Sequence, residues 1–155
     1  MGHTPSDIIR TILPSFVLEE LQNILHDDPV IALSTPLRKG TMNVFLELEN
    51  KKIPYFLISR HKMPEMAIRI LSKHSLWPKY FNKVNAFFVD QAEDKNKKAV
   101  QLGLTHYIDD ELKVINLLVD VPNKFLFDPF NVFEKSDYYT KIKSWAEFKK
   151  HLKLT

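Results

Sequence analysis

The chain predicts an α/β protein in three layers, with five parallel strands in one sheet, helices on both faces and a helical extension at the N-terminus. Three observations carry that expectation. Short apolar runs recur: VIAL at 30–33, PYFLI at 54–58, NAFFV at 85–89, LTHYI at 104–108 and KFLF at 124–127. Segments with apolar residues at helical spacing alternate with them. Most of the runs end in hydroxyl, basic or acidic residues, as buried strands do when they finish at a functional edge.

Composition bounds the answer. At 155 residues the chain is long enough for one domain with a full core. It is 45% apolar and has only three glycines, an ordinary globular balance. It has no cysteine, which excludes disulfides, thiolate metal sites and a cysteine nucleophile. No apolar run approaches the roughly 18 residues that span a bilayer. The first residues lack the basic-then-apolar-then-small order of a secretory signal. A cytoplasmic protein with no membrane association is the expectation. The net charge of +3 comes from 22 Lys+Arg against 19 Asp+Glu. The lysines are spread along the chain, which argues against a nucleic-acid partner.

Taken in order, residues 1–29 form the N-terminal helical extension. Two short helices, Ser6 to Leu13 and Phe16 to His26, are split at Pro14. Residues 30–129 form the core, and 130–155 carry a C-terminal helix, all in a single domain. The first strand, Val30 to Leu33, ends in Ser34, Thr35 and Pro36, because proline cannot donate to a ladder. Thr41 caps a helix reaching Lys51 that faces Val44, Phe45 and Leu48 inward. The second strand ends in Ser59, Arg60 and His61. A helix from Met63 to Lys73 follows, with Met66, Ala67, Ile70 and Leu71 as its core stripe. Trp77, Tyr80 and Phe81 lie in an irregular link. The third strand ends in Asp90, and the polar stretch to Lys98 opens the next helix. The fourth ends in Asp109 and Asp110, with Asp110 capping a helix whose inner residues are Leu112, Ile115, Leu118 and Val119. The fifth stops at Asp128 and Pro129. Ser144 and Glu147 form a capping box for a helix that packs through Trp145, Phe148 and Leu152.

In such sheets the ligand site lies at the carboxyl ends of the strands. That edge would gather Ser34, Ser59, Arg60, Asp90, Asp109, Asp110 and Asp128, with Lys95 on the helix before the fourth strand. Each also has a plain structural role. Asp110 is a helix cap, Asp109 answers the helix dipole, Ser59 satisfies strand-end backbone, and Lys95 is one solvated lysine among several.

Together these residues resemble the haloacid dehalogenase superfamily, the aspartate-nucleophile phosphohydrolases of Rossmann-like fold. IPYFLISR resembles the second motif through Ser59. DKNKKAVQLGLTHYIDD resembles the third and fourth through Lys95, with Lys97 and Lys98 as less well spaced candidates, and through Asp109 and Asp110. The resemblance spans about Val30 to Pro129. It implies that Ser59 holds a phosphoryl oxygen and that Lys95 neutralises phosphoryl charge. It also implies that Asp109 and Asp110 hold Mg2+. The intervals Ser34–Thr41 and Asp90–Lys95 are too short for a cap domain, so a capless member is expected.

The departure lies in the first motif, where the family ends its strand in Asp-x-Asp. Ser34 stands at the nucleophile position and Pro36 at the acid/base position. Proline cannot titrate, and a serine hydroxyl is a weak nucleophile without a base. Asp27 and Asp28 precede the strand, at the wrong end of the sheet.

Three functions follow as expectations. The first is a non-catalytic relative that binds a phosphorylated ligand, a cation or a protein partner at the degenerate site. The second is a Mg2+-dependent phosphohydrolase with Ser34 as an atypical nucleophile, served by Lys95, Ser59, Asp109 and Asp110, with His61 or His106 as base. The third is a basic α/β interaction or nucleic-acid module with Arg38–Lys39, Lys95–Lys98 and Lys149–Lys150 as its footprint. A receiver domain fits less well, since it needs acids where Ser34 stands.

Overall fold

A computed structural model describes residues 29–60 and 64–153. The two helices expected before His26, the acids Asp27 and Asp28, and His61 lie outside the described residues. The elements run α1 (Pro29–Ser34), α2 (Thr41–Asn50), β1 (Leu57–Arg60), α3 (Pro64–Lys73), β2 (Ala86–Val89) and α4 (Ala92–Gln101). They continue with β3 (His106–Asp109), α5 (Leu112–Leu117), β4 (Asn123–Phe127), β5 (Thr140–Ile142) and α6 (Trp145–His151).

The alternation of strand and helix, the parallel pairing and the α/β class are as expected, but the single five-stranded sheet is not what forms. The described residues form two sheets, one of two strands in the order β1-β2 and one of three in the order β3-β4-β5. The strands of both sheets pair in parallel. Leu57 sits opposite Ala86, His106 opposite Asn123 and Phe125 opposite Thr140.

The strand expected at Val30–Leu33 is the largest correction: it is helix α1. Pro29 opens that helix, and its fixed φ suits the first helical turn. Ala32 is buried and α1 packs on α3, so tertiary contact overrides the β-branched preference of Val30 and Ile31. The Ser34 hydroxyl donates to the Ile31 carbonyl at 2.7 Å, closing the last turn.

The second and fourth strands sit further along the chain than the apolar runs suggest, so that Ser59, Arg60 and Asp109 lie inside strands rather than after them. β5 has no counterpart in the expected set, because TKI carries only one apolar residue. β4 supplies its ladder, continued where the Asp128 N–H donates to the Ile142 carbonyl at 2.8 Å.

Three apolar clusters hold the layers together. One face unites Ile58 of β1 with Tyr107 and Leu126 of the other sheet, Ala92 and Ala99 of α4, and Val114 and Ile115 of α5. On the opposite face, Val44 and Leu48 of α2 pack with Phe125, Phe127, Ile142 and Phe148. Tyr80, Phe81 and Ala86 form the third cluster, against which Leu57 and Phe88 pack. Phe45 and Tyr55 touch both of the latter two, so α2 lies across both sheets. Within the expected stripes, Met66, Ala67, Ile115, Leu118 and Phe148 are buried, whereas Val119 is 72% exposed because α5 has already ended.

Helix caps divide in the same way. Ser144 accepts the Glu147 N–H at 3.2 Å, and the Glu147 carboxylate accepts the Lys143 N–H at 2.7 Å, so the capping box forms with its return bond one residue earlier. Thr41 does not cap α2. It is buried as the first helical residue and donates to the Arg38 carbonyl at 2.7 Å. Gly40 is the cap residue, at φ 91°. A Cβ there would meet the Trp145 Cβ at 3.3 Å. Gly40→Ala is expected to cost about 1–2 kcal/mol from the left-handed backbone alone, with the Trp145 contact adding to it. Urea unfolding checks this, and a change below about 0.5 kcal/mol would mean that the turn relaxes freely.

Candidate functional site

Lys95 and Asp109 carry the site. Lys95 lies in the second turn of α4, and its side chain turns inward beneath the sheet, leaving the residue 7% exposed. Its Nζ donates to Asp109 Oδ2 at 2.7 Å, with both side chains 9% exposed. An isolated ammonium could not be held at such depth, and the short charge-assisted contact is what compensates its desolvation. Asp109 ends β3, and its second oxygen, Oδ1, accepts the Glu111 N–H at 2.9 Å. That carboxylate is therefore committed on both oxygens, one to the ammonium and one to the backbone that opens α5.

Two further residues stand at the same edge. Arg60 closes β1 and reaches Glu111 Oε1 at 3.8 Å, a solvent-exposed pair of little energetic weight. The contact shows that the carboxyl ends of β1 and β3 lie on one side. Ser59, half-buried, precedes Arg60 at that edge.

The other expected members take no part in the Lys95–Asp109 ion pair. Ser34 is exposed at the end of α1, its hydroxyl turned back on its own helix. Asp110 is exposed and is not the cap of α5; Glu111 holds that position without a side-chain bond. Asp90 is exposed beyond β2. The structure thus joins Lys95 to Asp109 and places Ser59 and Arg60 on the same edge, but gives Ser34 and Asp110 no part in the ion pair.

The expected Mg2+ ligands, Asp109 and Asp110, stand in different surroundings. A hard cation of this size takes about six oxygens. Here one carboxylate of the pair is already bound to an ammonium and a backbone N–H, and the other faces solvent. Among the described residues, no group of three or more His, Asp and Glu side chains is disposed to hold a metal ion.

Asp128 is a structural centre that sequence reasoning placed with the site. It is 2% exposed. Its carboxylate accepts the Val132 N–H at 2.8 Å, the Phe133 N–H at 3.0 Å and Lys141 Nζ at 3.1 Å. Lys141 also donates to the Phe133 carbonyl and, at 2.9 Å, to Asn131 Oδ1. Burial alone would raise the Asp128 pKa, but the two N–H groups and the ammonium hold it below the ordinary carboxylate value of 3.8. Asp128 folds the loop between β4 and β5 back on itself. Nothing in the spacing of Asp128 and Lys141 announces that bond, since it closes across a loop without periodicity.

The basic segments are partly neutralised. Lys95 is paired within the protein, Lys97 binds Asp94 at 2.8 Å, and Lys149 reaches Glu47 at 3.1 Å. A polyanion footprint loses Lys95, which is buried. Lys98 stands over the Phe87 ring at 4.7 Å, and Arg38 over the Phe127 ring at 5.3 Å. No helix of the described residues is long and apolar enough to cross a membrane. No family model, curated protein or solved structure matches the chain.

Proposed function

We propose that the chain is a non-catalytic relative of the haloacid dehalogenase-like phosphohydrolases that binds a phosphorylated ligand at the edge carrying Ser59, Arg60 and Lys95. The observation that carries this reading is the buried Lys95–Asp109 pair at the carboxyl edge. It is an ammonium held in a fixed place by a carboxylate whose two oxygens each already accept a donor. A phosphoryl group would find a neutral hydroxyl in Ser59 and a cation in Arg60, whose present partner at 3.8 Å is exposed and readily displaced. Chemistry is absent from the reading because no titratable side chain stands at Ser34 or Pro36 in the roles of nucleophile and acid. The finer architecture, one continuous three-layer sheet, belongs to the same proposal. It is supported by the common core that unites Ile58 with Tyr107 and Leu126.

Titration with inorganic phosphate tests the binding. Backbone resonances of Ser59 and Arg60 are expected to shift saturably, and Arg60→Ala to weaken the effect about tenfold, the worth of one charge-assisted bond. No shift at millimolar phosphate would defeat the binding half. Turnover of p-nitrophenyl phosphate that requires Mg2+ and disappears in Asp109→Asn would defeat the non-catalytic half and favour the hydrolase.

A further inference from the structure

A groove of about 270 Å³ lies between the turn that enters α2, the end of α3 and the start of α6. Its walls are apolar: Pro36 and Leu37 on the turn, Ile70 on α3 and the Trp145 ring on α6. Neither Ser59, Arg60, Lys95 nor Asp109 borders it, and no Asp or Glu side chain lines it.

Most of its polar side chains are already engaged. The Thr41 hydroxyl donates to the Arg38 carbonyl at 2.7 Å, and the Thr35 hydroxyl to the Ile31 carbonyl at 3.4 Å. His74 Nε2 lies 3.0 Å from the Thr35 carbonyl, which can only accept, so this nitrogen carries its proton and donates. That bond ties the turn to the end of α3.

Two donors are left over. The Trp145 Nε1–H is buried and meets no acceptor among the described residues. Its ring packs on Phe127 at 5.3 Å and on Phe148 at 5.8 Å, side chains that carry no oxygen. A buried donor without an acceptor bears its desolvation uncompensated, so such groups call for a partner. The Arg38 guanidinium is the second. It lies over the same Phe127 ring at 5.3 Å, and no carboxylate of the described residues pairs with it. One ring thus anchors both the charge and the donor.

We infer that this groove binds a small apolar carboxylic acid. The hydrocarbon body lies against Leu37, Ile70 and the Trp145 ring, and the carboxylate accepts from Arg38 and from the Trp145 indole N–H. Each part of that ligand answers a feature of the groove. Its volume falls just short of about 300 Å³, where pockets for drug-sized ligands begin, and so suits a body of a few carbons. A guanidinium with no acid beside it favours a negative charge. Its planar fork matches the paired oxygens of a carboxylate. A phosphate monoester brings about two charges and a third oxygen, more than the two free donor groups serve. This ligand is therefore not the phosphorylated one proposed for Ser59, Arg60 and Lys95, and the two sites share no residue.

Hexanoate titrated into the full chain and followed by NMR tests this. The chain has two tryptophans, Trp77 and Trp145, and Trp145→Phe assigns their indole resonances. The Trp145 indole N–H is expected to shift downfield and to saturate at about 10 mM hexanoate, the range set by so few non-hydrogen atoms. Arg38 is exposed, so Arg38→Ala leaves the core intact, and it is expected to weaken binding about tenfold. Hexanol, which keeps the body and lacks the charge, is expected to bind about tenfold more weakly as well. In Trp145→Phe the donor is lost and most of the packing kept, and weaker hexanoate binding is expected at the Ile70 amide. No shift at about 50 mM hexanoate overturns the inference. Hexanol that binds as tightly as hexanoate also overturns it, since the groove would then read apolar surface alone. Hexyl phosphate that binds about tenfold more tightly than hexanoate gives the groove to a phosphoryl ligand, with the same consequence. A Trp145 resonance that moves on dilution of the free protein assigns the groove to a second copy and overturns it too. Inorganic phosphate is read at Ser59 and Arg60 and hexanoate at Trp145, so the two proposals fail separately.

Discussion

Asp109→Ala is expected to lower stability by about 3–5 kcal/mol, the range found when one partner of a buried ion pair is removed. The Lys95 ammonium would be left with its side chain 9% exposed and no carboxylate at 2.7 Å. The N–H of Glu111 would also lose its acceptor. Urea unfolding measures the loss. Replacing both partners by apolar residues of similar volume, Lys95→Met with Asp109→Leu, is expected to recover most of it, because no uncompensated charge is then buried. A loss below about 1 kcal/mol in the single variant would show that water reaches the ammonium. The outcome bears on function, since a pair this costly to break is a fixed electrostatic feature of the edge and not a mobile surface contact.

Asp128→Ala carries the second large effect, again about 3–5 kcal/mol. Three donors lose their acceptor at once: the N–H groups of Val132 and Phe133, and Lys141 Nζ. Lys141 itself is only 11% exposed, so its charge cannot simply turn to solvent. β5 is expected to detach first, because the loop that delivers it is closed through Asp128. Exchange at Ile142 should therefore rise more than exchange at Leu126. The pH dependence has a definite sign. The folded pKa of Asp128 lies below the ordinary 3.8, so its contribution is fully present above that value and is lost as the pH falls through the lowered pKa. Asp128→Ala should flatten acid unfolding in that window. An unchanged acid limb would mean that other carboxylates govern it.

A local pattern marks Asp128 as an acid at a strand end, and on that ground it joins Ser59, Asp109 and Asp110 as a candidate ligand. Its actual partners lie across an irregular loop, where no period relates one residue to the next. Lys95 and Asp109 are the opposite case. The resemblance places a lysine one helix before a strand that ends in acid, and the parallel βαβ crossover brings those two positions together whatever the intervening residues are. Their meeting was therefore legible. That the lysine would be buried and would occupy the oxygen expected to bind a cation was not, because burial depends on how α4 rolls against the sheet.

By itself the sequence determined the alternation of strands and helices, the parallel class, the capping box at Ser144 and Glu147, and the nearness of Lys95 to Asp109. All of these follow from periodicity, local chain stereochemistry or short crossovers. Tertiary structure alone decided that Val30–Leu33 lies in a helix, that the strands divide into two sheets, that Thr140–Ile142 forms a strand and that Asp128 anchors a loop. A four-residue apolar run is too short to fix its own conformation, so its own preference is worth less than the contact it finds. The packing of α1 on α3 settles the choice for Val30–Leu33, as the ladder of β4 does for Thr140–Ile142.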